Sequence, residues 1–136
     1  MIPSKRVSVF GETVAVSRET RRRLEEYGRL LVQWQSKINL VAPSTLDNIW
    51  ERHLLDSLQL ADCLDGANDV MDIGSGAGFP GLVLAMVLAE GGSGRVRLVE
   101  SNGKKCAFMN AVVRETGLRQ SGVDVPLPPG SPDHQS

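Results

Sequence analysis

Residues 70–81 read Val70-Met-Asp-Ile-Gly-Ser-Gly-Ala-Gly-Phe-Pro-Gly81. Apolar Val70, Met71 and Ile73 flank Asp72. Three glycines then alternate at Gly74, Gly76 and Gly78, and after Pro80 and Gly81 a helical run, LVLAMVLAE, begins. A strand that breaks into a glycine turn and restarts as a helix has the outline of a nucleotide-cofactor site. Glycine admits positive φ and lets a ligand approach the backbone closely. The helix start offers unpaired N–H groups and a partial positive charge to an anion.

Downstream of this turn a helix is expected over about 80–89, with Pro80 in the first turn, where its missing N–H costs nothing. The GGSG stretch, 91–94, is a loop. Together with a first strand over 68–73, a second is expected over 96–100, with Arg97 its one polar interruption. A further helix over 103–116 is stopped by Gly117, and Val123 to Val125 can begin a third strand. Near-continuous apolar strands separated by helices imply a parallel sheet. Upstream, Ser17 is the expected N-cap of a first helix with Glu19 in its first turn. Leu24, Tyr27, Leu31, Trp34 and Ile38 recur at helical spacing as one buried stripe, with Arg18, Arg21, Arg22, Arg23 and Arg29 mostly off it. Ser44 and Asp47 form the S-x-x-D version of a capping box for a second helix over about 45–64, and Gly66 suits its stop.

The chain has 136 residues, 41% hydrophobic and 23% charged, which is ordinary for a globular domain with a real core. Net charge is −1, but residues 1–53 carry nine Lys or Arg against six Asp or Glu, and residues 54–136 six against ten. A basic front and an acidic remainder fit a front segment that meets phosphate, although on charge alone a solvated helix face is the better reading. Cys63 and Cys106 stand far apart outside any metal-ligand spacing, and His53 and His134 cannot complete a site with them. Reduced thiols, a cytoplasmic setting and no metal are expected. No apolar run approaches the roughly 18 residues of a membrane span, and the first dozen residues lack a signal-peptide core.

The turn can be read in two registers. Gly76-Ala-Gly78-Phe-Pro-Gly81 matches G-x-G-x-x-G, and Glu100 follows Gly81 by nineteen residues, which suits a dinucleotide such as NAD. Asp72-Ile-Gly74-Ser-Gly76-Ala-Gly78 describes it better, with an acid two residues before the first glycine and another acid ending the next strand. S-adenosyl-L-methionine has no pyrophosphate; it carries an amino-acid end, a sulfonium and an adenosine. Asp72 can attract the ammonium, turn N–H groups around Gly74, Ser75, Gly76 and Gly78 can meet the carboxylate, and Glu100 can accept both ribose hydroxyls. A tight turn with a structural Asp is the plain alternative.

NLVAPSTLDNIWERHLLDSLQLADCL, followed by DIGSGAGFPG, LVES and GKKCAFMNAV, resembles the RsmG (GidB) family of ribosomal RNA methyltransferases over roughly residues 17–125. Two motifs carry the likeness: R-H-x-x-D-S (Arg52, His53, Asp56, Ser57) and the glycine turn with F-P-G. The resemblance implies an α/β, Rossmann-like S-adenosylmethionine-dependent methyltransferase fold. It also implies methylation of guanine N7 in 16S rRNA of the small ribosomal subunit, and cofactor contacts at Gly74 and Phe79.

Methyl transfer to N7 needs little acid–base help, because N7 holds a lone pair and the sulfonium is an activated donor; placement and exclusion of water suffice. No catalytic acid or base is therefore assigned. His53 and Asp56, three apart on the second helix, can line a guanine pocket; the alternative is a helix-surface ion pair, Arg52 with Asp56 at i,i+4, beside a partly buried His53. The Arg21–Arg23 run, Arg22 in particular, and Lys104 with Lys105 are candidate phosphate contacts or plain solvated charge.

The organisation expected is an N-terminal helical segment over 1–66, an incomplete methyltransferase core with a partial parallel sheet over 67–125, and a disordered proline-rich tail over 126–136. The tail, PLPPGSPDHQS, holds four of the seven prolines and cannot extend the sheet. The likeness stops where the third strand begins, so the first strand is expected to have an unpaired edge, and the chain to have impaired or no catalytic activity. A non-catalytic RNA- or protein-binding remnant and an NAD-type dinucleotide-binding domain are the other readings.

Overall fold

Before the first helix the chain folds back on itself. β1 (Ser4–Val9) pairs antiparallel with β2 (Glu12–Ser17), Ser4 lying opposite Ser17 and Val9 opposite Glu12. Valines at 7, 9, 14 and 16 favour this extended backbone. The front segment is therefore a hairpin followed by helices, not helices alone. The computed structural model describes residues 4–9, 12–38, 46–63, 69–73 and 77–126. The capping box at Ser44, the expected stop at Gly66, residues 74–76 of the glycine turn and nearly all of the proline-rich tail lie outside the described residues.

α1 (Arg18–Gln35) starts at Ser17, whose Oγ accepts the Thr20 N–H at 3.1 Å. The expected stripe is buried at Leu24, Tyr27 and Leu31, joined by Leu30, while Trp34 and Ile38 are half-buried against the same core. α2 (Leu46–Cys63) buries Leu54, Ser57 and Leu58.

β3 (Asp69–Ile73), β4 (Gly94–Val99) and β5 (Val123–Asp124) form a parallel sheet in the order β3-β4-β5, with Asp72 opposite Leu98 and Arg95 opposite Asp124. α3 (Gly81–Leu88) and α4 (Gly103–Thr116) make the crossovers. Strand order advances in one direction, so crossovers of uniform hand place both helices on one face. That face carries buried Val96 and Leu98; the other carries exposed Arg95 and Arg97, which pair with Asp124 at 3.1 Å and Asp69 at 3.5 Å. Met71 and Ile73 on β3 are 53% and 75% exposed. Among the described residues the sheet is thus covered on one side only, whereas parallel sheets are usually buried on both.

Pro80 is the residue before α3 rather than within it, and the Phe79–Pro80 peptide is cis. α4 begins at its Asn102 cap, whose Oδ1 accepts the Lys105 N–H at 3.1 Å, and ends at left-handed Gly117, as expected. β4 starts two residues earlier than the apolar run suggests, because backbone pairing continues through Gly94 and Arg95.

A glycine turn clamped by the first helix

Where β3 ends and α3 starts, two close approaches leave no room for a side chain unless a neighbour shifts. Gly78 has φ +97°, and a Cβ there would lie 2.4 Å from Leu82 Cδ1 and 2.7 Å from Tyr27 Oη. At Gly81 a Cβ would lie 2.4 Å from Leu98 Cδ2 and 2.8 Å from Asp72 Oδ2. The second glycine lets α3 press onto β3 and β4.

Asp72 is half-buried and accepts the Gly81 N–H through Oδ2 at 3.0 Å, tying the strand end to the helix start. This structural duty belongs to the plain reading of Asp72, and it also fixes where the carboxylate stands. Glu100 follows β4 by one residue; its Oε2 accepts the Asn102 N–H at 3.0 Å, and its carbonyl accepts from Cys106 Sγ at 3.2 Å. Burial, and secondly the Glu100 charge, push the Cys106 thiol above its usual value. Two carboxylates thus sit at the same ends of adjacent parallel strands, one inside the turn and one beside it. An ammonium and a ribose diol are groups that such a pair can hold, so the donor set fits S-adenosylmethionine.

Tyr27 was legible only as a core residue, and it does more. Its fully buried hydroxyl donates to the Ala77 carbonyl at 2.5 Å, clamping the turn from α1. Burial, and secondly the Asp72 charge, push the phenol well above its usual value. The Phe79 ring stacks with Tyr27, centroids 5.4 Å apart, and with His53 at 4.9 Å and 19°. The expected cofactor residue Phe79 is thus engaged by α1 and α2, and His53 brings α2 alongside the turn. Asp56, one turn further along α2, is exposed.

The remaining candidates divide. Lys104 lies at the start of α4, four residues after Glu100 in the described loop and helix. Arg22 does not join them. Its Nε donates to Glu19 Oε1 at 2.8 Å, and Nη2 reaches the Thr116 carbonyl at 3.3 Å, beside which Arg23 Nε donates to the same oxygen at 3.1 Å. That is the C-terminal end of α4, about 20 Å from its start at 1.5 Å per residue. Gly74, Ser75 and Gly76 lie outside the described residues. Among those described, no group of three or more His, Cys, Asp or Glu could hold a metal, and no helix is long and apolar enough to cross a membrane.

A parallel sheet with crossover helices and a clamped glycine turn between strand and helix defines an α/β protein of the Rossmann-like class, its sheet incomplete among the described residues. Residues 20–123 match the model of the GidB family, described as rRNA small subunit methyltransferase G, and the chain belongs to that family. It is 53% identical over 106 residues to the ribosomal RNA small subunit methyltransferase G of Rhizobium meliloti (strain 1021), covering 78% of this chain and 50% of that one. It is 57% identical over 102 residues to the protein of the same name from Rhodopseudomonas palustris (strain BisB5), covering 75% and 44%. The chain spans about half the length of the curated relatives it matches.

Proposed function

We propose that this chain is the cofactor-holding core of a cytoplasmic enzyme that moves a methyl group from S-adenosyl-L-methionine to N7 of a guanine in 16S rRNA of the small ribosomal subunit. The observation that carries this reading is the pair Asp72 and Glu100 on adjacent strand ends around the glycine turn. Bound there, the cofactor would supply an activated methyl on its sulfonium: N7 offers the lone pair, and sulfur would keep the electrons of the broken S–C bond and leave as a neutral thioether. The chain's residues bind and orient. Asp72 faces the ammonium end, the turn around Gly74, Ser75, Gly76 and Gly78 lets the carboxylate reach backbone N–H groups, Glu100 accepts the ribose hydroxyls, and Phe79 walls the site. His53, stacked on Phe79, and Asp56 on the same helix border the place where guanine enters. Turnover by this chain alone is low on this reading, because Met71 and Ile73 stand exposed on β3 and no described strand pairs with its outer edge.

Calorimetric titration with S-adenosylmethionine tests the cofactor half. Saturable binding is expected, weakened at least about 10-fold by Glu100→Gln, the loss expected for a charge-assisted hydrogen bond. Binding of NAD in its place, or indifference to Glu100→Gln, would sink it. Tritium from labelled cofactor appearing in small-subunit RNA tests the transfer.

A further inference from the structure

α1 and α4 run antiparallel: Arg23 meets the end of α4, and the residues after Gln35 meet its beginning. At that second junction lies a cleft of about 440 Å3, lined by Lys37, Lys104 and Lys105 with Ser36, Ile38 and Asn102. No carboxylate is among its described lining residues, and none of the three ammonium groups forms an ion pair with a described residue. Asn102 already caps the helix by accepting the Lys105 N–H, so the charge of the cleft comes from the lysines, not from the helix start. A second hollow between the same helices, about 350 Å3, differs in this respect. Its Arg29 pairs with Glu26 at 2.6 Å, its Arg114 with Glu115 at 3.4 Å, and Glu115 itself lines it. The arginines there are neutralised in place; Lys37, which lines both hollows, and Lys104 and Lys105 of the first cleft stay available to an outside anion.

We infer that the Lys37–Lys104–Lys105 cleft seats backbone phosphates of the RNA substrate. The inference rests on the rRNA reading and deepens it. The one anionic group of the expected cofactor, its carboxylate, is assigned to the glycine turn, which leaves the cleft for another anion. Asn102 links the two places: its N–H donates to the Glu100 carboxylate while its side chain caps the helix that bears Lys104 and Lys105. An RNA strand held by its phosphates there passes beside the strand end where the methyl donor sits. Phosphate contacts fix register and orientation without reading sequence, which is what a base needs in order to arrive in line. Lys37 is the residue that no local pattern reveals; it reaches the cleft only because α1 ends where α4 starts.

Fluorescence anisotropy of a short labelled single-stranded oligoribonucleotide with the full chain, over ~50 to ~200 mM salt, tests this. If each lysine neutralises one phosphate charge, the triple variant K37Q/K104Q/K105Q lowers the slope of log K against log salt by about 2, and the affinity at ~0.1 M salt about 100-fold. K37R/K104R/K105R keeps the charge and is expected to keep both. R95Q/R97Q/R119Q removes the same charge elsewhere and is expected to lose less than half as much in slope. Equal losses from the two glutamine triples, or none from the lysine triple, overturn the cleft and leave the rRNA reading standing. Failure of the unaltered chain to bind RNA overturns both.

Discussion

At Tyr27 the ring fills the core against Phe108 and Phe79, and the hydroxyl reaches Ala77. Tyr27→Phe keeps the ring and removes the donor, leaving a buried carbonyl unpaired. About 1–3 kcal/mol of stability is expected to go, measured by urea unfolding at neutral pH. The same residue sets a pH dependence. Its folded pKa is raised above the ordinary value of 10.0, so its contribution is complete below pH 10 and is lost as pH rises through the folded value. Cys106, raised above 9.0, adds a smaller loss of the same sign that starts earlier. Unfolding midpoints should therefore decline above about pH 9, more steeply above 10, and Tyr27→Phe should flatten the steeper part. An unchanged profile in the variant would count against the clamp. Position 27 is legible in sequence as a core position because its spacing is helical. The hydroxyl's partner is not legible, because it lies fifty residues away along the chain.

At the scale of elements, Ser17 joins three of them. It ends β2, caps α1 through Oγ, and donates its N–H to Glu90 Oε2 at 2.8 Å just past α3. Ser17→Ala is expected to cost about 1 kcal/mol for the lost cap, read as a lowered urea midpoint, while the backbone bond to Glu90 remains. The cap was legible because serine before an amphipathic run carries its own mechanism. The hairpin before it was not, although valines alternate on both sides of Phe10-Gly11; each run is short, and its pairing depends on the other. α4 was legible from end to end, its stop set by a glycine that must turn left-handed at φ +73°. For the candidate site, strand, turn and acids follow from local order. The α1–α4 cleft depends on antiparallel packing that no local spacing encodes, and the partners of Arg22, Glu19 and the Thr116 carbonyl, are likewise not read from its basic run.

Across the whole molecule, one face of the sheet rests on α3 and α4, while the other leaves Met71 and Ile73 open beside paired Arg and Asp side chains. An exposed apolar face on a strand that has no partner on its outer edge among the described residues is a template for association. The double variant M71K/I73K is expected to reduce concentration-dependent self-association of this chain, followed by sedimentation velocity, with little change in its unfolding midpoint. Association that persists undiminished would place the sticky surface elsewhere, with Val32 and Leu60 the next exposed apolar side chains.

The bond between Tyr27 and Ala77 also sets a timetable for synthesis. The hydroxyl is made fifty residues before the carbonyl it holds. At the ordinary pace of translation, 5–20 residues per second, that gap lasts about 3 to 10 seconds. Throughout it, Leu24, Tyr27 and Leu31 wait without the turn and α3 that later enclose them. The front of the nascent chain thus carries those apolar side chains uncovered until the glycine turn has been made.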